Sequence, residues 1–482
     1  MKCSLLLLAA CAAPVATPPQ APWISDTNSY GQNLSQSQAI SDRYRAAAEK
    51  IIATGHPDRG AFNHLAELTT TVGHRMVGSA DLDRAIAWAV ATMKADGLSN
   101  VHTEKVMVPH WVRGEEEGAI VTPNPRTVRV LGLGGTVGTA KGGITAPLVV
   151  VTDWKDLDSK NLKGAIVLFD VAMPPYGTNP DDPTGYGRTV GYRMRGAVEA
   201  GKRGAVGMLM RSVTARSLGT LHAGALAYDD TQPKIPAAAV TVEDAQLLSR
   251  LVARGPVTFH LRLEDQQQPD VEQANVVGEL PGKDKPDEIV AIGGHIDSWD
   301  VGQGAHDDGA GLVTMMYAAK LLKQLGLQPK RTIRVVGWVG EEYKVRGAKA
   351  YAEAHKDELA KHVLAVESDT GGFTPLGFSV SAKDEAGTRR AVQRVAEIAS
   401  LLQPIHASRV VEGGHETDIA PLGAAGVPQA GLDVDVSTYF DYHHTDADTL
   451  DKVDPQQLAD DAVAMAVLAY VVADLPFRLD EP

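Results

Sequence analysis

His295 and Asp297 stand directly after the apolar run Ile289-Val290-Ala291-Ile292, and a glycine-rich stretch then leads to Asp307 and Asp308. Three later segments again place side chains able to bind metal, two of them just after apolar runs. Val335-Val336-Gly337-Trp338-Val339 precedes Glu341-Glu342, Val363–Val366 precedes Glu367-Ser368-Asp369, and Tyr442 precedes His443-His444-Thr445. Zinc accepts imidazole nitrogen and carboxylate oxygen. Two metal ions about 3.5–4 Å apart need a bridging carboxylate to offset their repulsion. This set meets that need: Asp307 suits the bridge, His295 and Asp369 complete one ion, and Glu342 with His444 complete the other. Glu341, beside a ligand without being one, is placed to take a proton from water as general base. Asp297 suits a supporting role, accepting from the free ring nitrogen of a ligand histidine.

Each signal taken singly has a plainer reading. A lone His-x-Asp usually satisfies local hydrogen bonds, a Glu-Glu pair usually lies on a solvated face, and Asp307-Asp308 could simply cap a helix. Glu341-Glu342 follows an apolar run, where a solvated pair is unexpected. Gly302-Gln303-Gly304 lacks the spacing of a nucleotide loop and is followed by acids that would repel phosphate. Met315-Met316 reads as core packing. His355, His362, His406 and His415 lack metal-like neighbours. The weight comes from separate segments agreeing.

These side chains need a frame that brings segment ends together. From Asn275 onward the pattern alternates, with strands expected at Glu288–Ile292, Thr332–Val339, Val363–Val366 and Gln429–Leu432. Helices are expected at Ala310–Leu325, Lys349–Glu358 and Arg389–Leu402. Near-continuous apolar strands separated by helices argue for a mainly parallel sheet covered on both faces. In such sheets ligands collect outside the carboxyl ends of the strands. Upstream, helical patterns cover Ala39–Ile52 and Ala80–Met93, and Val101–Val108 reads as a strand. Between about Gly118 and Gln268 the chain turns rich in Gly, Ala and Val, with short strands around 148–151, 165–169 and 206–210 and a helix over Tyr192–Ala200. No metal-ligand cluster falls there, so this stretch reads as an inserted domain that shapes or covers the site. The organisation expected is an export signal and tether over 1–38, a catalytic domain over 39–117 and 271–478, and the insert over 118–270.

The 482 residues are 44% hydrophobic and 22% charged, the balance of a globular chain with more than one domain. A formal charge of −14 disfavours nucleic-acid binding, which needs a basic footprint. Both cysteines, Cys3 and Cys11, lie at the N-terminus beside the apolar run Leu5–Ala10. This is the pattern of an export signal. Leu8-Ala9-Ala10-Cys11 further resembles a lipoprotein signal that would leave a lipid on Cys11. The expected location is therefore periplasmic or outer-membrane-anchored, otherwise secreted, with membrane contact only through that lipid. The apolar run Ala462–Ala473 is shorter than the ~20 residues of a membrane span and reads as a buried helix.

With these residues in place, the chain resembles the co-catalytic zinc aminopeptidase and glutamate carboxypeptidase superfamily. The resemblance rests on Gly294-His295-Ile296-Asp297-Ser298-Trp299-Asp300-Val301-Gly302-Gln303-Gly304, Glu367-Ser368-Asp369, Glu416-Thr417-Asp418-Ile419, and His443-His444-Thr445 ahead of Asp448-Thr449. In the insert, Tyr192-Arg193, Gly196–Ala200 and Lys234-Ile235-Pro236 also match. It implies an α/β/α sandwich of phosphorylase/hydrolase-like type, an inserted domain of protease-associated type, two Zn2+ on the residues named above and Glu341 as base. It further implies a homodimer and hydrolysis of short peptides, especially dipeptides. Three departures bear on the cleft: Tyr343 to Arg346 replace small residues, His443 stands where some members carry an oxyanion-stabilising tyrosine, and His415 interrupts a glycine-rich run. His443, Tyr343, Arg346 and His415 are therefore expected near the substrate. The competing readings are a non-catalytic binding protein on the same fold and a single-zinc acyl-transfer enzyme like the glutaminyl cyclases.

Overall fold

The computed structural model describes residues 34–179, 182–414 and 416–482, with side chains from residue 40 onward. Cys3, Cys11 and the export signal, and also His415, lie outside the described residues. The first helix, Leu34–Gly55, begins within the span read as tether.

Two eight-stranded sheets carry the fold. The first runs in the order Ser99–Val112, Gln266–Leu280, Arg331–Trp338, Lys285–His295, His362–Glu367, Gln429–Val434, Pro375–Ser381, Arg409–Glu412. Its four central strands, Arg331–Trp338 through Gln429–Val434, are parallel. The flanks are not: Gln266–Leu280 runs antiparallel to Arg331–Trp338, and Pro375–Ser381 antiparallel to Gln429–Val434. The expected strands thus form the parallel centre of a sheet whose flanks are antiparallel to it, and chain length explains the flanks. A strand that continues in the same direction needs a crossover of about a dozen residues or more. The connections 281–284 and 368–374 only let the chain turn back.

Alternate residues on these strands face opposite layers. Ile333 and Val335 pack with Leu312, Val313 and Val467 from the helices Gly311–Gln324 and Pro455–Asp474. Val336 and Trp338 pack with Ala348 and Tyr351 of the helix Arg346–Ala354. Sheet one is therefore the middle of an α/β/α sandwich. Helix Pro455–Asp474 is longer than its apolar run. Asp454 caps it, accepting from Gln456 N and Gln457 N at 2.7 and 3.1 Å. Its length and composition would let it cross a membrane, but residues 462–469 are buried in the core.

The second sheet is made from the chain between the two long strands Ser99–Val112 and Gln266–Leu280, and it has its own apolar clusters on its two faces. The helix Tyr186–Gly201 packs on one face and Val242–Val252 on the other. Where the chain passes between the sheets, Arg113 grips Asp300 through Nε and Nη2 at 2.7 and 2.9 Å, and Glu116 through Nη1 at 2.7 Å. A two-pronged guanidinium–carboxylate pair fixes orientation as well as distance.

Candidate metal centre

Parallel strands side by side bring their carboxyl ends level. His295 pairs with Trp338 and Gly293 with Glu367, so His295, the Glu341-Glu342 turn and Asp369 emerge together. The segment after His295 has little regular structure of its own and is held by Arg75, a fully buried residue. Its Nε donates to Ile296 O at 2.7 Å, Nη1 to Gln303 O at 2.8 Å and Nη2 to Gly304 O at 2.9 Å. Asp448 then fastens the end of the loop, accepting from His306 N at 2.7 Å and Asp307 N at 3.2 Å.

The two neighbouring aspartates divide their work. Asp308 accepts from His295 N at 2.9 Å and Gly311 N at 3.0 Å, so it holds the strand end and the helix start. Asp307 faces the site. Its Oδ1 lies 3.2 Å from His295 Nε2 and its Oδ2 3.2 Å from His444 Nε2. His295 Nε2 is also 3.1 Å from Asp369 Oδ1, and His444 Nε2 is 3.0 Å from Glu342 Oε2. Two imidazoles thus each face two carboxylates, with Asp307 common to both. Three clusters in this region have donors close enough to hold a metal ion: Asp307, His443 and His444; His295, Asp308 and Asp369; and His295, Asp307 and Glu342.

The hydrogen bonds test whether a cation fits. His295 Nδ1 lies 3.0 Å from the backbone carbonyl of Asp297, which accepts its proton. In the neutral ring Nε2 is then a lone pair directed at two carboxylate oxygens, an arrangement that only a proton or a metal ion relieves. Glu342 Oε1 and Asp307 Oδ2 are buried without a hydrogen-bond donor. Burial, then the Asp369 carboxylate, holds Glu341 well above the usual carboxylate range. Burial, then Asp307, raises Glu342. Burial opposes protonation of His295, but Asp307 and Asp369 outweigh it and hold its pKa well above the ordinary value. The donor set suits zinc.

Asp297 supports the site in a different way from the one expected. Its backbone oxygen, not its carboxylate, takes the His295 ring proton; the carboxylate stands 3.7 Å from Nδ1. That carboxylate instead accepts from Gly340 N at 2.7 Å and from Glu341 N and Glu342 N at 3.3 Å, orienting the Glu341-Glu342 turn. Glu367 likewise stays out of the centre, accepting from Asp418 N at 2.8 Å and tying its strand end to the turn before the helix Ala420–Ala424.

A cavity of about 360 Å³ opens over the cluster, lined by Asp307, Glu341, Glu342, Asp369, His443 and His444 on one side. His443 stacks on His444 with ring centroids 3.6 Å apart. Tyr343 and Arg346 do not line this cavity. They border an adjoining one of about 450 Å³, while Lys344 and Val345 turn toward the centre. The positive φ of both intervening residues, 81° and 55°, reverses the chain there and swaps the side chains that face inward.

Sequence reasoning missed several contributors. Trp299 donates from Nε1 to Glu342 Oε2 at 2.5 Å and packs beneath Gly134, in the stretch between the two long strands. Ala223 N, from the same stretch, donates to His444 O at 2.8 Å. Arg193, on the helix Tyr186–Gly201, lies 3.3 Å from His444 Nδ1. The Ser298-Trp299-Asp300 signature carried a hint of Trp299, but nothing local marked Arg75 or Ala223.

The family model for peptidase family M28 matches residues 275–471. The chain is 42% identical to carboxypeptidase Q of Mus musculus over 438 residues, covering 90% of each chain. It is 41% identical to carboxypeptidase Q of Homo sapiens over 424 residues, 87% of each. The solved structure of a peptidase M28 precursor from Shewanella amazonensis superposes with a TM-score of 0.86 at 34% identity, covering 92% of this chain and 99% of that one. These similarities bear out the resemblance read from the residues.

Proposed function

The chain belongs to peptidase family M28, and from that premise we propose that it is a di-zinc exopeptidase hydrolysing short peptides, dipeptides foremost. One observation carries the reading: two buried imidazoles each face two carboxylates, and Asp307 offers one oxygen to each. His295, Asp307 and Asp369 would hold one ion; Asp307, Glu342 and His444 would hold the other. When bound, zinc polarises a carbonyl and makes water acidic enough to lose a proton near neutral pH.

The chain's own residues do the rest. Glu341 lines the cavity without an ion partner among the described residues. Burial and the nearby carboxylates raise its affinity for a proton. It accepts the proton that water loses on attacking the scissile carbonyl, then returns it to the departing amine, leaving one new carboxylate and one free amine. Asp297 holds the turn that aims Glu341, and Trp299 holds Glu342. The second sheet acts as an inserted domain of protease-associated type that walls the cavity, a reading supported by Ala223 binding the His444 carbonyl. Export through the Met1–Cys11 segment, with lipid on Cys11, and a homodimer belong to the same proposal.

The test is Glu341→Gln with metal analysis. The expected outcome is a loss of about 10²–10⁴ in kcat with two zinc ions per chain retained. Full peptidase activity in that variant refutes Glu341 as base, and one zinc per chain at saturation refutes the two-ion site.

A further inference from the structure

The turn that carries Glu341 runs on into two residues whose backbone favours glycine. Lys344 and Val345 have φ of 81° and 55°, in the left-handed region where side chains are strained, β-branched ones most of all. Three backbone bonds hold the turn: Val345 N donates to Glu341 O at 3.2 Å, Arg346 N to Gly340 O at 2.9 Å and Gly347 N to Val339 O at 2.6 Å. Strain of this kind persists where the surroundings fix it, and it gathers at functional sites. Here it sets Lys344 on the border between the cavity of the metal centre and the adjoining one of about 450 Å³. Leu226 borders both cavities as well, and Lys344 is exposed to water. Arg346 lines the second cavity and not the first.

The second cavity thus has two cations without counterparts. Lys344 Nζ lies 5.8 Å from the Tyr343 ring centroid, Arg346 Nε is buried with no hydrogen-bond partner, and among the described residues neither side chain is in an ion pair. A buried donor left unanswered is costly. The carboxylates along the same walls do not answer it. Asp230 pairs with Lys234 at 2.7 Å, and Asp265 accepts from Gly114 N at 2.9 Å while burial pushes its pKa up to about 7. Asp270 is exposed to water. Tyr228 and Tyr343 give the cavity flat apolar surface. Gly135, at φ 80°, leaves room for the Tyr343 hydroxyl, which a Cβ there would meet at 2.0 Å. The bond from Val345 N to Glu341 O keeps Lys344 within one turn of the base. Each residue of extended chain spans about 3.5 Å, so a peptide with its scissile carbonyl at Glu341 extends past Lys344 with its next residue but one.

We propose that the adjoining cavity continues the substrate cleft and takes the third residue of a peptide, with Lys344 and Arg346 receiving an acidic side chain there. The ligand class is a tripeptide, or a longer chain, with aspartate or glutamate one residue outside the scissile pair. This rests on the peptidase reading above and extends it beyond dipeptides. The planar guanidinium of Arg346 suits a carboxylate in two-pronged fashion, and the exposed ammonium of Lys344 adds a second charge that follows the side chain.

The test uses the full chain loaded with zinc and two pairs of tripeptides, which put the acid beyond either end of a scissile pair. They are aspartyl-alanyl-leucine against asparaginyl-alanyl-leucine, and leucyl-alanyl-aspartate against leucyl-alanyl-asparagine. In one of the two pairs wild type is expected to favour the acid by about fivefold in kcat/KM, the size of an exposed charge pair. The preference should lie in KM rather than kcat and shrink as salt is raised. Arg346→Met and Lys344→Met should each bring the ratio toward one, Lys344→Glu should invert it, and Arg346→Lys should keep part of it because the charge stays and the fork is lost. Calorimetric titration of the same peptides into zinc-loaded Glu341→Gln protein reads binding without turnover. Tighter binding of the acid there supports the subsite even if wild type hydrolyses none of the four, a result that would count against the peptidase reading alone. Acid and amide bound equally in both pairs, no binding of any at millimolar concentration, or an acid preference that survives both Lys344→Met and Arg346→Met overturns the proposal.

Discussion

Replacing Trp299 with Phe isolates one hydrogen bond to a metal-site carboxylate. In the structure Nε1 donates to Glu342 Oε2 at 2.5 Å, and Glu342 Oε1 has no donor at all. The variant leaves Glu342 with His444 as its one side-chain partner on Oε2. A buried hydrogen bond to a charged group contributes about 1.5–3 kcal/mol, which corresponds to roughly 10–100-fold in zinc affinity. Groups that orient ligands have effects of that size. The smaller ring also leaves space under Gly134 and should cost about 1 kcal/mol of stability. Zinc affinity is read by competition with a chromophoric chelator, and stability separately by thermal unfolding of the metal-free protein. Gly134→Ala is a companion from the other side, since its Cβ would lie 1.9 Å from the Trp299 ring and push the indole off Glu342. It should weaken zinc in the same direction. A Trp299→Phe protein that binds zinc within twofold of wild type would refute the claim that the indole orients Glu342.

Three further outcomes follow from the geometry. Arg75→Lys cannot reproduce a fork that reaches three loop carbonyls; a loss of about 2–4 kcal/mol in denaturant unfolding is expected, and an unchanged midpoint would count against the clamp. Asp265, buried beside Glu116 with Oδ2 unpartnered, has its pKa pushed up to about 7, chiefly by burial. Because the folded value exceeds the unfolded one, its contribution is full below about pH 4 and is lost as pH rises through about 7. The melting temperature of Asp265→Asn minus that of wild type should therefore grow from pH 5 to pH 8, and a constant difference would contradict the assignment. Chelation of bound zinc should lower stability by about 4 kcal/mol when free zinc stood a thousandfold above its Kd, seen as a lower melting temperature that added zinc restores.

Much of the centre was legible in the chain because its donors follow apolar runs. A run such as Ile289–Ile292 announces a buried strand, and the polar residues just beyond it must sit at the strand's end, where neighbouring parallel strands converge. That logic found His295, Glu341, Glu342 and Asp369, with Asp307 and His444 added as nearby donors; the structure lines one cavity with five of the six and sets the buried His295 against Asp307 and Asp369. The logic weakens where neighbours along the chain compete. Asp297 reads as a partner for a histidine ring, yet its carboxylate turns to the backbone of the Glu341-Glu342 turn. Tyr343 and Arg346 read as cleft residues, yet two positive φ values send Lys344 and Val345 there instead.

What the sequence determined by itself was therefore the kind of chemistry, the donor types and the strands that carry them, since periodicity and strand-end position are local properties. What only the tertiary structure decided was how those donors are held and what faces them. Arg75 meets a loop more than two hundred residues away, Trp299 meets Glu342 across two strands, and Arg193 reaches His444 from a separate sheet. No spacing along the chain encodes such contacts. They depend on the mixed sheet folding back on its short connections and on the second sheet closing over the parallel strand ends.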